Sequence, residues 1–330
     1  MLPEIGFPGC CWNVDPKRAQ TLITWGRKRG SKPAPTPGTK TTGVGMREAF
    51  EPLEQSKAKE AASAGGTALY LSADRPDTMY ASKTLMQHVS RPNGLMEARL
   101  SRLARYYGGQ PELLWCFELQ DDPCTLRCDG DADWAPTTDV HRRSTSGGVV
   151  RYGGHLWDAF SVSQAVNALS SGESEFYATG SVMARGLLAK HFMEETGRTV
   201  KLEVGSDSTV GRGICQRHGV GKVRHLENKY IWLQEVLKRK HATIVKVGTL
   251  DMVADMLTKY VEAEAIKKHC ASLNLRFTSV VVGALLVKAV RAEDTQDEQL
   301  NSQAVVLTIV LLAGIGLMTL LWLAAVLLQR

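Results

Sequence analysis

The strongest constraint on this chain is a set of acidic phrases between Thr125 and Lys259: "LRCDGDADWA", "SSGESEFYA", "EVGSDSTV" and "DMVADMLTK". Each lies at the edge of an apolar, periodic segment, where a domain of strands and helices would present a charged side chain. A carboxylate beside a core strand loses hydration, a cost that persists unless something neutralises it. Several of them delivered to one place by separate elements would repel one another without cations. The pattern therefore calls for an α/β domain whose elements converge on divalent metal ions. Hard Mg²⁺ (or Mn²⁺) takes oxygen ligands, commonly one or two protein carboxylates plus phosphate oxygens. Paired ions of this kind promote in-line phosphodiester cleavage.

The first phrase reads as a strand from Thr125 to Trp134. Leu126, Cys128, Ala132 and Trp134 point one way, and Arg127, Asp129, Asp131 and Asp133 the other. A plain acidic surface strand is the alternative. "GGVVRYGG" and "HLWDAFSV" follow as a hairpin turning at Gly153-Gly154. The second phrase opens a helix. Ser170 with Glu173 three residues on forms a capping box, so Glu173 has a structural role. Glu175 has none of that kind, although a first-turn carboxylate also suits the helix dipole. In the third phrase Val200, Leu202 and Val204 alternate until "GSDS" breaks the strand, and Asp207 could be an N-cap. The fourth follows the strand "ATIVKV": Asp251 and Asp255 are four apart, on one helix face, and either could be a solvated charge.

The order of these elements resembles the ribonuclease H fold. The wording resembles the ribonuclease H region of copia-type LTR retrotransposon polyproteins, whose phrases "SDADWAGD…RRSTSGYV", "SSTEAEY", "CDNQSA", "TKHI" and "ADILTK" appear here as "GDADWAPTTDVHRRSTSGGVV", "LSSGESEFYA", "GSDSTV", "KVRHLENKY" and "VADMLTK". That resemblance implies a mixed five-stranded sheet flanked by helices. It carries the catalytic and metal-holding positions onto Asp131, Glu175, Asp207 and Asp255, and matches His225 to the "TKHI" histidine. It also implies cleavage of the RNA strand of RNA–DNA hybrids. Upstream, "SKPAPTPG", "GGTALYLSADRPDTMYAS" and "RPNGLMEARLSRLARYYGGQ" are similar to the reverse transcriptase tail of the same polyproteins. The polymerase's paired-aspartate motif is missing; Asp121-Asp122 reads as a turn before Pro123. The altered "GSDSTV", which loses the Asn after the Asp, keeps a second function in view: a non-catalytic, membrane-anchored nucleic-acid-binding or interaction protein derived from a retrotransposon.

These readings divide the chain into a linker-rich segment (1–64), a helical reverse transcriptase remnant (65–120), the ribonuclease H-like domain (121–275), a linker (276–303) and a hydrophobic tail (304–328). In the second part Asp74 to Asp77 marks a turn between helices and Gly108-Gly109 the end of the last. Val261 to Leu273 is expected to continue the final helix of the third. The net charge of +6 suits a nucleic-acid partner. Lys222, Arg224, Lys229, Lys238, Arg239 and Lys240 could track a phosphate backbone or simply be solvated. Seven cysteines without a secreted-scaffold spacing suggest reduced thiols, and no signal peptide is visible at the N-terminus. Ala304–Leu328 is 25 residues without a charge, longer than the roughly 30 Å hydrocarbon core requires. It is expected to be a single-pass C-terminal membrane anchor with the folded part cytosolic.

Overall fold

A computed structural model describes residues 9–13, 16–27, 32–40, 49–121, 123–136, 142–219 and 231–278. Met1–Phe277 forms one unit; of the second, Thr278–Arg330, only Thr278 is described. The chain opens with β1 (Gly9–Asn13) and four helices, α1 (Pro16–Arg27), α2 (Gln55–Ser72), α3 (Pro76–Met86) and α4 (Gly94–Gly109), before β2 (Leu113–Glu118). Pro76 at the start of α3 has no amide hydrogen to leave unpaired. Asn93 caps α4 by accepting from the amide of Met96 at 3.0 Å. Leu22, Leu71, Leu85, Met96, Leu100, Leu103 and Tyr107 close a shared apolar centre between these helices. Residues 32–40 form an extended strap across α4, where Ala34 donates to the carbonyl of Arg105 at 3.3 Å. The segment through residue 64, read from composition as linker-rich, thus contributes a strand, a helix, the start of a second helix and part of a core.

Between α2 and α3 the turn expected at Asp74–Asp77 holds a fully buried ion pair. Arg75 donates from Nε and Nη2 to the two oxygens of Asp77 at 2.9 and 2.8 Å. The Tyr106 hydroxyl donates to the same carboxylate at 2.8 Å, and the Arg75 guanidinium lies 4.6 Å from the Tyr107 ring centre. This bidentate geometry is what lets both charges leave water.

The second half supplies β3 (Thr125–Asp133), β4 (Thr145–Tyr152), β5 (His155–Ser163), α5 (Ser171–Glu195), β6 (Lys201–Ser206), α6 (Thr209–Gln216), α7 (Trp232–Lys238), β7 (Thr243–Lys246), α8 (Asp255–Thr258), α9 (Ala263–Ser272) and β8 (Leu275–Phe277). Five strands make a mixed sheet in the order β5-β4-β3-β6-β7, with β3, β4 and β5 antiparallel and β6 and β7 parallel to β3. This is the mixed five-stranded α/β arrangement expected. Both faces are covered. Cys128, Val150 and Phe160 pack under α5 and its neighbours on one side. On the other, Val149 and Leu156 meet Val253, Leu257 and Ile266.

A separate antiparallel sheet, β1-β2-β8, was not foreseen. "LLWCFE" is too short an apolar run for periodicity to separate strand from helix, and its partners lie far away in sequence. Nor does the last helix run on through Val261: α8 stops at Thr258 and α9 starts only at Ala263.

The expected membrane span is not upheld. No helix among the described residues is long and apolar enough to cross a membrane. At 25 residues α5 has the length, but Glu173, Glu175, Arg185, Lys190 and Glu194 interrupt it. A charge near a bilayer centre costs roughly 2.5–3.5 kcal/mol. Ala304–Leu328 lies outside the described residues, and the C-terminal anchor and the localisation that followed from it are withdrawn.

Arg75→Met should destabilise the fold by about 3–5 kcal/mol, because it strands the Asp77 charge in the interior. Arg75→Met combined with Asp77→Leu should recover much of that loss. Urea midpoints measure both; a wild-type midpoint for the single variant would be incompatible with a buried pair.

Candidate metal centre

β3 carries three aspartates on alternate positions, and the fold sorts them. Asp129 is buried but neutralised, accepting from Arg127 at 2.9 Å and Arg151 at 2.6 Å. Asp133 is half-buried at the end of the strand. Asp131 lies between them, with only 4% of its side chain exposed. Its cross-strand partner is Gly147. A Cβ at Gly147 would come within 2.7 Å of Thr258 and 2.8 Å of Leu257, so the missing side chain is what lets α8 lie against β4. That approach brings the Thr258 hydroxyl into a hydrogen bond with Asp131.

Glu175 comes from the first turn of α5. Ser170 caps this helix, accepting from the Glu173 amide at 3.2 Å, and Glu173 turns back to accept from the Leu169 amide at 2.8 Å. Glu173 therefore has the capping role read from the sequence, leaving Glu175 facing the aspartates, with the backbone of Ala132 as its hydrogen-bond partner. Asp207 follows β6 directly. The N-cap of α6 is Ser208, which accepts from the Gly211 amide at 3.0 Å. Asp207 is thus not the cap. One oxygen each from Asp131, Glu175 and Asp207 lie within 4.8 Å of one another.

Asp255 stands at the edge of this triad. Lys259, four residues on, ties it in: its Nζ lies 2.8 Å from Asp255 and 3.9 Å from Asp131. Asp251 goes elsewhere, to an exposed pair with Lys268 at 2.8 Å. Of the fourth phrase only Asp255 joins the cluster. His225, Lys222, Arg224 and Lys229 lie outside the described residues. Lys259 and Thr258 were not singled out from the sequence, although the i, i+4 spacing of Asp255 and Lys259 was visible there.

Burial dominates the electrostatics. It pushes Asp131 up to about 6, with Asp255 and Asp207 adding repulsion and Lys259 opposing both. Burial, then Asp131 and Asp207, push Glu175 up to about 9. Asp255 is raised by burial as well, against the pull of Lys259. For Lys259 burial works against the charged form, but Asp131, Asp255 and Asp207 prevail and raise it. Glu175 Oε2 is buried without a hydrogen-bond partner among the described residues. Carboxylates held this close, with one oxygen unmatched, suit a hard divalent cation.

No family model matches the chain. It is 26% identical over 213 residues, 64% of its length, to the Retrovirus-related Pol polyprotein from transposon RE1 of Arabidopsis thaliana. It is 27% identical over 197 residues to that from transposon RE2 of the same plant, and 27% over 203 residues to that from transposon TNT 1-94 of Nicotiana tabacum. The chain is similar to the Pol polyproteins of copia-type transposons. It spans only 14%, 13% and 15% of those relatives' lengths. Among solved structures, LC11-RNase H1, isolated from compost by a metagenomic approach, aligns over 97% of its chain and 44% of this one, at 18% identity and a TM-score of 0.29. A second structure of it, in complex with an RNA/DNA hybrid, aligns over 98% with the same identity and score. At that likeness the fold assignment rests on the strand order and register given above.

The raised acids bind more protons in the folded chain than in the unfolded one, so their contribution to stability is present at low pH. It is lost as pH rises through about 6 for Asp131 and about 9 for Glu175. In EDTA the melting temperature should fall with rising pH, and the fall should be smaller in Asp131→Asn. Mg²⁺ or Mn²⁺ should raise the wild-type melting temperature most at alkaline pH, where the ligands are deprotonated. A wild-type melting curve indifferent to divalent ions at every pH would exclude a metal centre.

Proposed function

We propose that this chain is a metal-dependent endonuclease that cleaves the RNA strand of RNA–DNA hybrids. Asp131, Glu175, Asp207 and Asp255 would hold Mg²⁺ or Mn²⁺. The observation that carries this reading is the convergence of Asp131, Glu175 and Asp207 within 4.8 Å from three separate elements. The fit to hard cations rests on the all-oxygen donor set and the unmatched Glu175 Oε2. Similarity to Pol polyproteins supports a nucleic-acid substrate. The hybrid is the substrate implied by the ribonuclease H phrases. The division into a helical part (65–120) and a nuclease-like part (121–275) belongs to the same reading.

When bound, a pair of such ions would activate the attacking water and stabilise the leaving 3′ oxygen. The chain's part is to hold the carboxylates in place. Asp131 is fixed by its strand and by Thr258, Glu175 by the capped first turn of α5, and Asp207 by the end of β6. Lys259 neutralises Asp131 and Asp255 and keeps Asp255 facing the cluster.

One observation favours a second reading, a non-catalytic nucleic-acid binder: Lys259 already supplies a cation to two of the four acids. Hybrid cleavage separates the two. The full chain with Mg²⁺ or Mn²⁺ should shorten a labelled RNA strand paired to DNA. Asp131→Asn and Asp207→Asn should each reduce the rate by more than about 100-fold, beyond the effect usual for groups outside the metal's own ligands. Should a folded wild-type chain leave the hybrid intact in both metals, the binder is the better description.

A further inference from the structure

Outside the carboxylate cluster, the strongest unassigned feature is a cavity of about 240 Å³ between the strap at residues 32–40 and α4. Arg99, Arg102 and Arg105 recur every third residue along α4 and line it together with Tyr260. The opposite side of the same helix buries Met96, Leu100, Leu103 and Tyr107. The hydrogen bonds of Arg102 and Arg105 run to neutral acceptors. Arg99 donates to the Thr84 carbonyl at 2.9 Å and lies 3.3 Å from His88 Nε2. Arg102 donates to the Thr36 hydroxyl at 2.8 Å, and Arg105 to the Lys32 carbonyl at 2.7 Å.

Neither Arg102 nor Arg105 has a carboxylate partner among the described residues. Arg102 Nε is buried with no acceptor among the described residues. Burial, then the neighbouring Arg105 charge, make the charged form of Arg102 harder to keep. An anion in the cavity would relieve both, and a guanidinium fork matches phosphate oxygens.

The cavity also continues the carboxylate centre. Tyr260 directly follows Lys259, and its hydroxyl lies 2.8 Å from that of Thr84. At the rim of the cluster, Lys259, Lys40 at the end of the strap, and Lys83 on α3 all act on Asp133. Four clustered acids repel a phosphate backbone, so a nucleic-acid strand can approach them only along flanking cations. The side chains from Lys40 and Lys83 to the arginine cavity provide that flank.

We propose that the cavity walled by Arg99, Arg102, Arg105 and Tyr260 binds the phosphodiester backbone of a nucleic-acid strand led to the carboxylate centre. This rests on the chain acting on nucleic acid, but not on its being able to cleave. The test is fluorescence anisotropy of a labelled RNA–DNA hybrid with the full chain in EDTA, over a range of salt. Arg102→Gln/Arg105→Gln should weaken binding about tenfold and lower the slope of log K against log salt by about one to two, since each phosphate contact contributes about 0.9. Arg102→Lys/Arg105→Lys should retain most of the slope. Arg105→Glu, which alters a partly exposed position, should weaken binding further without a drop in melting temperature.

An unchanged slope in the double Gln variant overturns the proposal, whether affinity stays at the wild-type level or falls with the melting temperature. Protection against thermal unfolding by millimolar inorganic phosphate, lost in the variant while the hybrid slope stays fixed, overturns it in favour of a free-anion site. If the wild type never cleaves but the slope still falls, the phosphate site stands and the hydrolytic reading goes. Cleavage with an unchanged slope gives the reverse.

Discussion

The rest of the structure is arranged around the repulsion among Asp131, Glu175, Asp207 and Asp255. Folding brings Asp131, Glu175 and Asp255 out of water and close to other carboxylates, and burial above all opposes the ionisation of these three. The arrangement survives because each is anchored by something other than its charge. β3 holds Asp131 within a sheet covered on both faces, a capped helix start holds Glu175, and the strand end at Ser206 presents Asp207. Lys259 is the one cation within reach of both Asp131 and Asp255 among the described residues, and it is itself half-buried by the same packing. The two remaining β3 aspartates show the contrast. Asp129 meets two arginines and is structurally settled, whereas Asp133 faces lysines at the rim.

Sequence pattern revealed this site better than it revealed the framework around it. The periodicity of "TLRCDGDADWA" placed three aspartates on one strand face, but only the pairing of β3 with β4 and β6 decides which of them meets arginine and which meets other acids. The capping box at Ser170 and Glu173 was legible because a helix start is a local event. Asp207 looked like a cap because Ser208 beside it could fill the same role. Choosing between them requires the direction in which β6 ends, which is tertiary information. Asp251 and Asp255 shared a helical spacing, yet the backbone between them runs from a 3₁₀ turn at Thr249–Asp251 to a fresh helix at Asp255, and the common face disappears.

What composition concealed was the structure of the first 64 residues. Its Pro, Gly and Lys content suggested linker, but Ala34, Thr36, Pro37 and Gly38 are buried. A Cβ on Gly38 would fall 2.0 Å from the Tyr260 ring, so glycine there serves close packing. β2 was missed for a related reason. Its neighbours, β1 and β8, stand on either side of nearly the whole described chain, and no local signal reports so distant a pairing.

That sheet and the helices before it complete the core of the second half. Leu113 and Trp115 of β2 share an apolar cluster with Val149 and Leu156 of the mixed sheet and with Leu257 and Ile266 beyond it. Polar contacts cross the same boundary: Lys83 donates to Thr145 at 2.6 Å, and Thr84 meets Tyr260 at 2.8 Å. Removing the first half would uncover the part of that sheet face packed against Leu113 and Trp115 and unpair groups now satisfied across the boundary. It would also free Tyr260, and with it the residue just before it, Lys259, whose position keeps Asp255 beside Asp131. The acidic cluster is thus shaped from a distance by helices that contribute no carboxylate to it. A chain reduced to residues 121–275 would keep the acids and lose much of what orders them.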